Sequence, residues 1–379
     1  MAKALVITSV ASMVQQFLLP SIILLQKIGY EVQVACNFKK GSTCSREQIE
    51  ELKEILKSYG VEFHQIDFER DVLQLSQNLY AYRQLANVIS KGGFSLIHCH
   101  SPIGGFLGRM AARKLRKNGT KVFYTAHGFH FYKGAPLKNW LCYYPIEKFT
   151  SYFTDVLIVI NQEDYIFAKK KLHAKKIEYV PGVGIDLSKF ANISIDRVAK
   201  RKEIGISENA ILLVSVGELI PRKNHKIILK SLAQIPDENI HYIIVGKGAL
   251  LDELQVFAEK LGIRSRVHFL GYRKDVAELY KASDICCFPS FQEGLPVALM
   301  EAMACGLPVV CSRIRGNTDL IDLSGGELFH PGKVEECHQA IINLMNNDMI
   351  RMGKANQRCV QNYAMEIIVE KMKEIYENE

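Results

Sequence analysis

Ten short runs of β-forming residues, apolar at nearly every position, constrain this chain more than any other feature. In the first half they are KALVITS, EVQVA, FSLIHCH, KVFYTAH and DVLIVIN; in the second, AILLVSVGE, IHYIIVGKG, RVHFLG, DICCFPS and LPVVCS. A strand with one wet face alternates apolar with polar residues. A strand covered on both faces does not, so these runs predict parallel sheets sandwiched by helices. Segments of helical period separate the runs. The pattern occurs twice in 379 residues, more than one core usually serves. The expected fold is therefore α/β, with two doubly wound, Rossmann-like domains facing a central cleft.

The series breaks at YVPGVGIDLSKF, where Pro181, Gly182 and Gly184 end the first set and the charged SIDRVAKRKEIGI opens the second. This places an N-terminal domain at 1–182, a linker at about 181–188 and a C-terminal domain at 189–379. The closing MEIIVEKMKEIYENE reads as an amphipathic helix. Near the start, Gln15, Gln16 and Pro20 interrupt the apolar stretch and no small-residue cleavage site follows. Neither a signal peptide nor a spanning helix is expected there. The ten cysteines form no CxxC pair, and several lie in apolar runs such as DICCFPS, which points to reduced, buried thiols in a cytosol.

In an open parallel sheet, ligands bind beyond the carboxyl ends of the strands, so residues just after each run carry the chemistry. SFQEGLPVALMEAMACGLPVV follows DICCFPS directly, which puts Glu293 and Gly294 in a strand-to-helix loop. Pro296 suits the first turn of a helix, Gly306 its C-terminal cap, and Pro308 blocks continuation. The helix is expected over about 296–305. Glu301 is its one polar residue, so the helix is buried nearly all round. An isolated buried carboxylate is unfavourable, and Glu301 either has a fixed protein donor or receives a ligand's hydroxyls. Glu293 precedes the helix, where a carboxylate can act as a capping acceptor. The free amides there also form an anion site, which points to a ligand carrying both phosphates and hydroxyls.

A second constellation follows the first strand of the second half, in VGELIPRKNH: Gly217 at the strand end, then Arg222 and Lys223. Adjacent cations above a sheet suit a diphosphate, although a solvated loop has the same composition. Gly246 and Gly248 of VGKG show only that backbone runs close to something. In the first half, His127 and His130 of TAHGFHFY, and His98 and His100 of LIHCHSPIGG, fall at strand ends. No third ligand at zinc spacing accompanies them, so no metal is expected, and a histidine donating to a substrate oxygen is the better reading.

Charge is unevenly shared. Residues 1–182 hold 24 Lys+Arg against 14 Asp+Glu, and residues 183–379 hold 24 against 26. Arg109, Arg113, Arg116 and Lys117 fall near one face of a predicted helix. This density suits an acidic partner, either an anionic membrane surface or a lipid pyrophosphate. Nucleic acid is not the expected partner, because no recognition motif accompanies the charge.

These residues together resemble glycosyltransferase family 4, the retaining sugar-nucleotide enzymes of GT-B fold. EGLPVALME has the family's E-x7-E spacing, and GELIPRKNH, VGKG, FPSFQEGLP and the strand-end histidine of TAHGFHFY also match. The stretch from TAHGFHFY to VLIVINQED looks like bacterial capsule and exopolysaccharide members that extend lipid-linked glycans. The resemblance implies that Glu293, Gly294, Leu295 and Pro296 meet the donor sugar and phosphate, that Glu301 holds the ribose and that Lys223 binds the diphosphate. It also implies that His127 stands near the donor sugar. With Gly217, Arg222, Gly246 and Gly248 these make up the implied donor site, and Glu293, His127 and Lys223 its catalytic part.

The implied substrates are a nucleotide sugar, commonly a UDP-hexose or UDP-N-acetylhexosamine, and a lipid-linked glycan acceptor. The implied place is the inner face of the cell membrane, with the protein peripheral and the C-terminal helix packing back on the N-terminal domain. Configuration is retained and no cofactor or metal is required. Two departures stand out: Glu218 where the family often has Arg, and Ser9, Ser12 and Met13 where it has a Gly-Gly turn. A sugar-nucleotide epimerase and a non-catalytic two-domain sugar-binding protein share the architecture. A nicotinamide dehydrogenase does not fit, since neither half shows G-x-G-x-x-G with the following acid.

Overall fold

The apolar runs become two wholly parallel sheets in a computed structural model that describes residues 1–40, 44–71, 74–191 and 193–378. The first sheet is built from β1 (Ala2–Ile7), β2 (Tyr30–Cys36), β3 (Glu62–Gln65), β4 (Leu96–His100), β5 (Lys121–Ala126), β6 (Val156–Val159) and β7 (Lys176–Tyr179). Their order is β3-β2-β1-β4-β5-β6-β7. The second comprises β8 (Ile211–Val216), β9 (Ile240–Val245), β10 (Val267–Gly271), β11 (Ile285–Phe288), β12 (Val309–Ser312) and β13 (Gly326–Phe329), in the order β10-β9-β8-β11-β12-β13. Each is a doubly wound Rossmann-like sheet. The strand order reverses between β1 and β4 in one and between β8 and β11 in the other, the crevices where such folds place ligands.

Three strands do not stand out in the sequence: β3, β7 and β13. All three are sheet edges of four residues, partly exposed, so their residues lack the continuous apolar character of a central strand. The central strands behave as expected. In β4, β6, β11 and β12 every residue is buried.

The chain separates into two compact units, Met1–Val183 with Ile368–Glu379, and Gly184–Ile367. Gly182 and Gly184 flank the division with φ of +82° and +81°, a left-handed backbone that favours glycine. The C-terminal residues counted with the second domain on sequence therefore return to the first. There Ile368, Met372, Ile375 and Tyr376 join Leu18, Ile22, Leu25 and Phe123 in one core. The four fall at helical spacing on one face of the closing helix, and that apolar stripe is what docks. The ten cysteines are unbridged, and burial pushes the Cys99 thiol up to about 12.

Candidate active site

The loop after β11 and the loop after β8 meet at the switch point of the second sheet. Pro289–Pro296 leads into a helix at Val297–Ala304, whose N-cap is Pro296, and Gly306 follows the helix with φ +81°. The Leu307 amide reaches the Ala302 carbonyl at 3.1 Å and that of Gly306 reaches Met303 at 2.9 Å, closing the helix as its glycine implies. At the other end, the amides of Val297 and Ala298 have no intrahelical acceptor, as in any first turn.

Glu293 accepts both neighbouring cations. Its Oε1 receives Lys223 Nζ at 2.7 Å and an Arg222 guanidinium nitrogen at 3.0 Å. Arg222 also donates to the Gln292 carbonyl at 2.9 Å, and the Phe291 amide donates to the Arg222 carbonyl at 2.8 Å, so the two loops are laced together. Lys223 lies 4.8 Å from the Phe288 ring. Asn224, left-handed at φ +54°, ties the β8 loop to the Pro289 and Pro331 carbonyls at 3.1 and 2.9 Å. The Lys223 and Glu293 side chains are only 13% and 10% exposed, so the pair is held in place rather than waving in solvent.

Gly217 makes room for this arrangement, because a Cβ there would stand 3.2 Å from Lys223 Cε. The backbone close to Gly246 is that of the same loop: a Cβ on Gly246 would lie 1.9 Å from the Gly217 carbonyl oxygen. One on Gly248 would lie 2.4 Å from that of Leu219. Both glycines let the β8 and β9 loops stack. Glu218, at the place of the family's arginine, is exposed.

Glu301 faces the alternative left open by the sequence, and no protein donor reaches it. Its carboxylate has no hydrogen bond or ion pair with any described residue, and burial pushes its pKa up to about 7, with Lys189 pulling weakly the other way. The sequence reading missed Arg315. It is buried and donates its Nε to the Glu293 carbonyl at 3.1 Å, fixing the loop from the β12 side. Arg315 follows the VVCS strand as Lys223 follows β8, and position after a strand was its only available signal.

In the first unit, His127 stands just past β5 beside two buried histidines. His100 Nδ1 is 3.1 Å from His127 Nε2; His98 bonds Thr125 Oγ1 at 2.8 Å and the Tyr376 hydroxyl at 2.7 Å. Burial lowers all three, His98 to about 3 and His127 to about 4, so near pH 7 they are neutral rings that donate and accept hydrogen bonds. The loop after His127 is held by helix-start acids: Asp164 accepts the Phe129 amide and Glu163 that of Lys133. His130 lies apart, with its ring 4.7 Å from that of Tyr143. Gly-Gly is missing after β1, yet the approach such a turn permits is supplied from across. A Cβ on Gly104 would lie 3.2 Å from Thr8 Cα and 3.3 Å from the Ser9 amide.

The basic face read from the sequence is corrected. Arg109 is 1% exposed and grips Glu147 with two bonds of 2.6 and 3.1 Å, its guanidinium 3.9 Å from the Tyr124 ring centre. Arg116 is bidentate to Asp155 at 2.9 and 2.8 Å, and Arg113 bonds the Met110 carbonyl and the Tyr82 hydroxyl. Only Lys117 of the four is exposed. The helix stops at Ala112 and gives way to a tight 3-10 turn at Leu115–Asn118, which breaks the shared face. The acids that absorb Arg109 and Arg116 arrive 38 and 39 residues later in the chain. Removing one partner strands a buried charge, so Arg109→Ala is expected to lower stability by about 3–5 kcal/mol, read by denaturant unfolding. A loss below about 1 kcal/mol would refute the strut.

Residues 196–378 match the model of the glycosyl transferases group 1 family, and residues 7–161 that of the glycosyl transferase 4-like family. The chain is 35% identical over 367 residues to the putative glycosyltransferase EpsD of Bacillus subtilis, covering 95% of this chain and 92% of that protein. It is 29% identical over 314 residues, 80% of each chain, to an Escherichia coli UDP-Gal:alpha-D-GlcNAc-diphosphoundecaprenol alpha-1,3-galactosyltransferase. Among solved structures, Anabaena HepE in complex with UDP-glucose superposes with a TM-score of 0.78 over the full length of both chains at 21% identity. That likeness concerns the fold.

Proposed function

The chain belongs to the group 1 glycosyltransferases, with a glycosyltransferase 4-like N-terminal domain, and from that premise we propose a specific reaction. It moves a hexose or N-acetylhexosamine from a UDP-sugar to a lipid-linked glycan, with retention, during surface polysaccharide synthesis. The observation that carries the donor half is the Glu293 carboxylate holding Lys223 and Arg222 at the switch point, beside the free amides of a helix start. When the glycosidic bond to the diphosphate breaks, negative charge grows on the leaving oxygens and the sugar gains oxocarbenium character. The two cations and the helix N-terminus stabilise the first, and Glu293 is placed to stabilise the second.

The diphosphate displaces Glu293 as the partner of Lys223, which frees the carboxylate for the sugar. Neutral His127 donates to a sugar hydroxyl. The acceptor hydroxyl then attacks from the face the diphosphate leaves, giving its proton to a departing phosphate oxygen, so neither a carboxylate nucleophile nor a metal is needed. The acceptor half is supported by one relative, whose name gives GlcNAc-diphosphoundecaprenol as its acceptor. Such an acceptor lies in the anionic inner leaflet, where the protein works as a peripheral enzyme.

The test is a panel of nucleotide sugars, with nucleotide release followed with and without diphospholipid-linked sugar. Release from one UDP-sugar, raised at least tenfold by the acceptor, is expected. Acceptor-independent conversion of the donor to its epimer would refute the transfer.

A further inference from the structure

The helix Leu137–Ser151 carries large apolar side chains on its water-facing side as well as on its inner side. Its inner side turns Glu147 and Thr150 into the core and packs Trp140, Tyr143 and Tyr144 beside Phe131 and Phe167. Its outer side should then be polar, since a helix apolar all round belongs inside a protein or in lipid. Instead Leu137 is 72%, Leu141 69% and Phe149 53% exposed, with Tyr152 at 55% just past the helix end. The only ionic groups among them are lysines, Lys138 and Lys148, both exposed. The helix's one acid, Glu147, is turned inward on Arg109.

We propose that this outer face lies in the headgroup and upper acyl layer of an anionic bilayer, and that it replaces the Arg109–Lys117 segment as the membrane contact. Large apolar side chains flanked by lysines, with a tyrosine at one end, are what an interfacial helix presents to lipid. The lysines match phosphate headgroups, and the missing acid removes the repulsion that would otherwise act. The same helix walls a hollow of about 270 Å³ lined by Ile103, Phe106, Leu107 and Phe131. Leu75 and Ile146, both exposed, form its rim and carry the apolar surface onward. A second copy of the chain is a poorer occupant, because a two-fold contact through this face sets a patch whose only ionic groups are lysines against an identical patch, with no acid to pair them. Among the described residues no helix is long and apolar enough to span, so the contact is interfacial.

This deepens the lipid-linked acceptor reading and rests on it for its purpose, but the two fail separately. The full chain is sedimented with vesicles of equimolar phosphatidylethanolamine and phosphatidylglycerol. The wild type is expected to co-sediment, and Leu141→Ser with Phe149→Ser to lower its partition coefficient about tenfold or more. Lys138→Gln with Lys148→Gln should lower it at least several-fold, an effect that disappears on phosphatidylcholine vesicles. Leu323→Ser with Ile350→Ser, equally exposed on the second unit, is the control and should change nothing. No sedimentation of the wild type, equal losses in the control, or a dimer that Leu141→Ser with Phe149→Ser dissociates would each overturn the proposal. Nucleotide release with a short-tailed soluble acceptor addresses the other reading. If tailed and tail-less acceptors serve equally, the lipid-linked acceptor is wrong even where the membrane contact stands.

Discussion

Lys223→Ala and Glu293→Ala are each expected to cut acceptor-dependent sugar transfer by about 10²–10³-fold, with far-UV circular dichroism unchanged. Both side chains sit at the meeting of the β8 and β11 loops, and each is the other's partner at 2.7 Å. The pair keeps the lysine aimed at the diphosphate position before substrate arrives, so little reorganisation remains for the reaction. Losing the lysine removes charge opposite the leaving group and leaves the carboxylate to Arg222 alone. Losing the carboxylate removes the partner of the oxocarbenium and lets two cations repel one another. Breaking a pair only 13% and 10% exposed costs the fold up to about 3 kcal/mol, which is less than the stability of a typical domain, so the chain stays folded while it loses a group worth about 3–4 kcal/mol to the transition state. The catalytic effect therefore dominates. Because the two residues touch, their losses will not add: the double variant should fall within about tenfold of the worse single one. Near-normal turnover in either single variant, or full additivity, would sink the assignment.

What could be read beforehand was local in the chain. The helix after Glu293, its closing glycine and the cations after β8 are all set by neighbours within a few residues. The spacing of proline, glycine and charge was enough for them. The central strands were legible for the same reason, because burial on both faces leaves a continuous apolar run. Edge strands β3, β7 and β13 were not, since half-exposed strands of four residues look like loops. Pairings across the chain were also out of reach. Arg109 read as a surface charge because Glu147, 38 positions on, could not be brought to it from periodicity. His98 read as a strand-end histidine, yet its ring is held by Tyr376, 278 positions on, in the closing helix, whose return to the first domain was expected but not its pairing with His98. The glycines of VGKG announced a close approach without naming Gly217 and Leu219 as the neighbours. Charge density thus overstated the free basic surface of the first unit. The apolar outer face of Leu137–Ser151, hidden in a sequence apolar on both sides, became visible only once its inner face was placed.

Glu301 gives the second large effect, in which stability and affinity move in opposite directions. The free protein holds a partly buried carboxyl without a donor, and burial raises its pKa from the ordinary 4.5 to about 7. Between those values the folded state binds a proton that the unfolded chain has released, so stability falls as pH rises from about 4.5 to about 7 and is level above. Glu301→Gln removes that penalty. It should unfold like the wild type near the lower value and be more stable at pH 8 by on the order of 1–2 kcal/mol, after allowance for residual exposure. Nucleotide binding changes the other way. Ribose hydroxyls donating to the carboxylate favour its charged form, and hydrogen bonds to a charged group are worth about 1.5–3 kcal/mol, so Glu301→Gln should weaken UDP binding by about 10–100-fold. The ligand must also release the proton, so wild-type affinity should climb with pH up to about 7 and level off above it, while that of the variant stays flat. Calorimetric titration with UDP across that range, beside unfolding of the free proteins, measures both signs at once. A variant that binds UDP as the wild type does would place the ribose elsewhere, and one no more stable at pH 8 would mean the carboxyl is satisfied in the free protein.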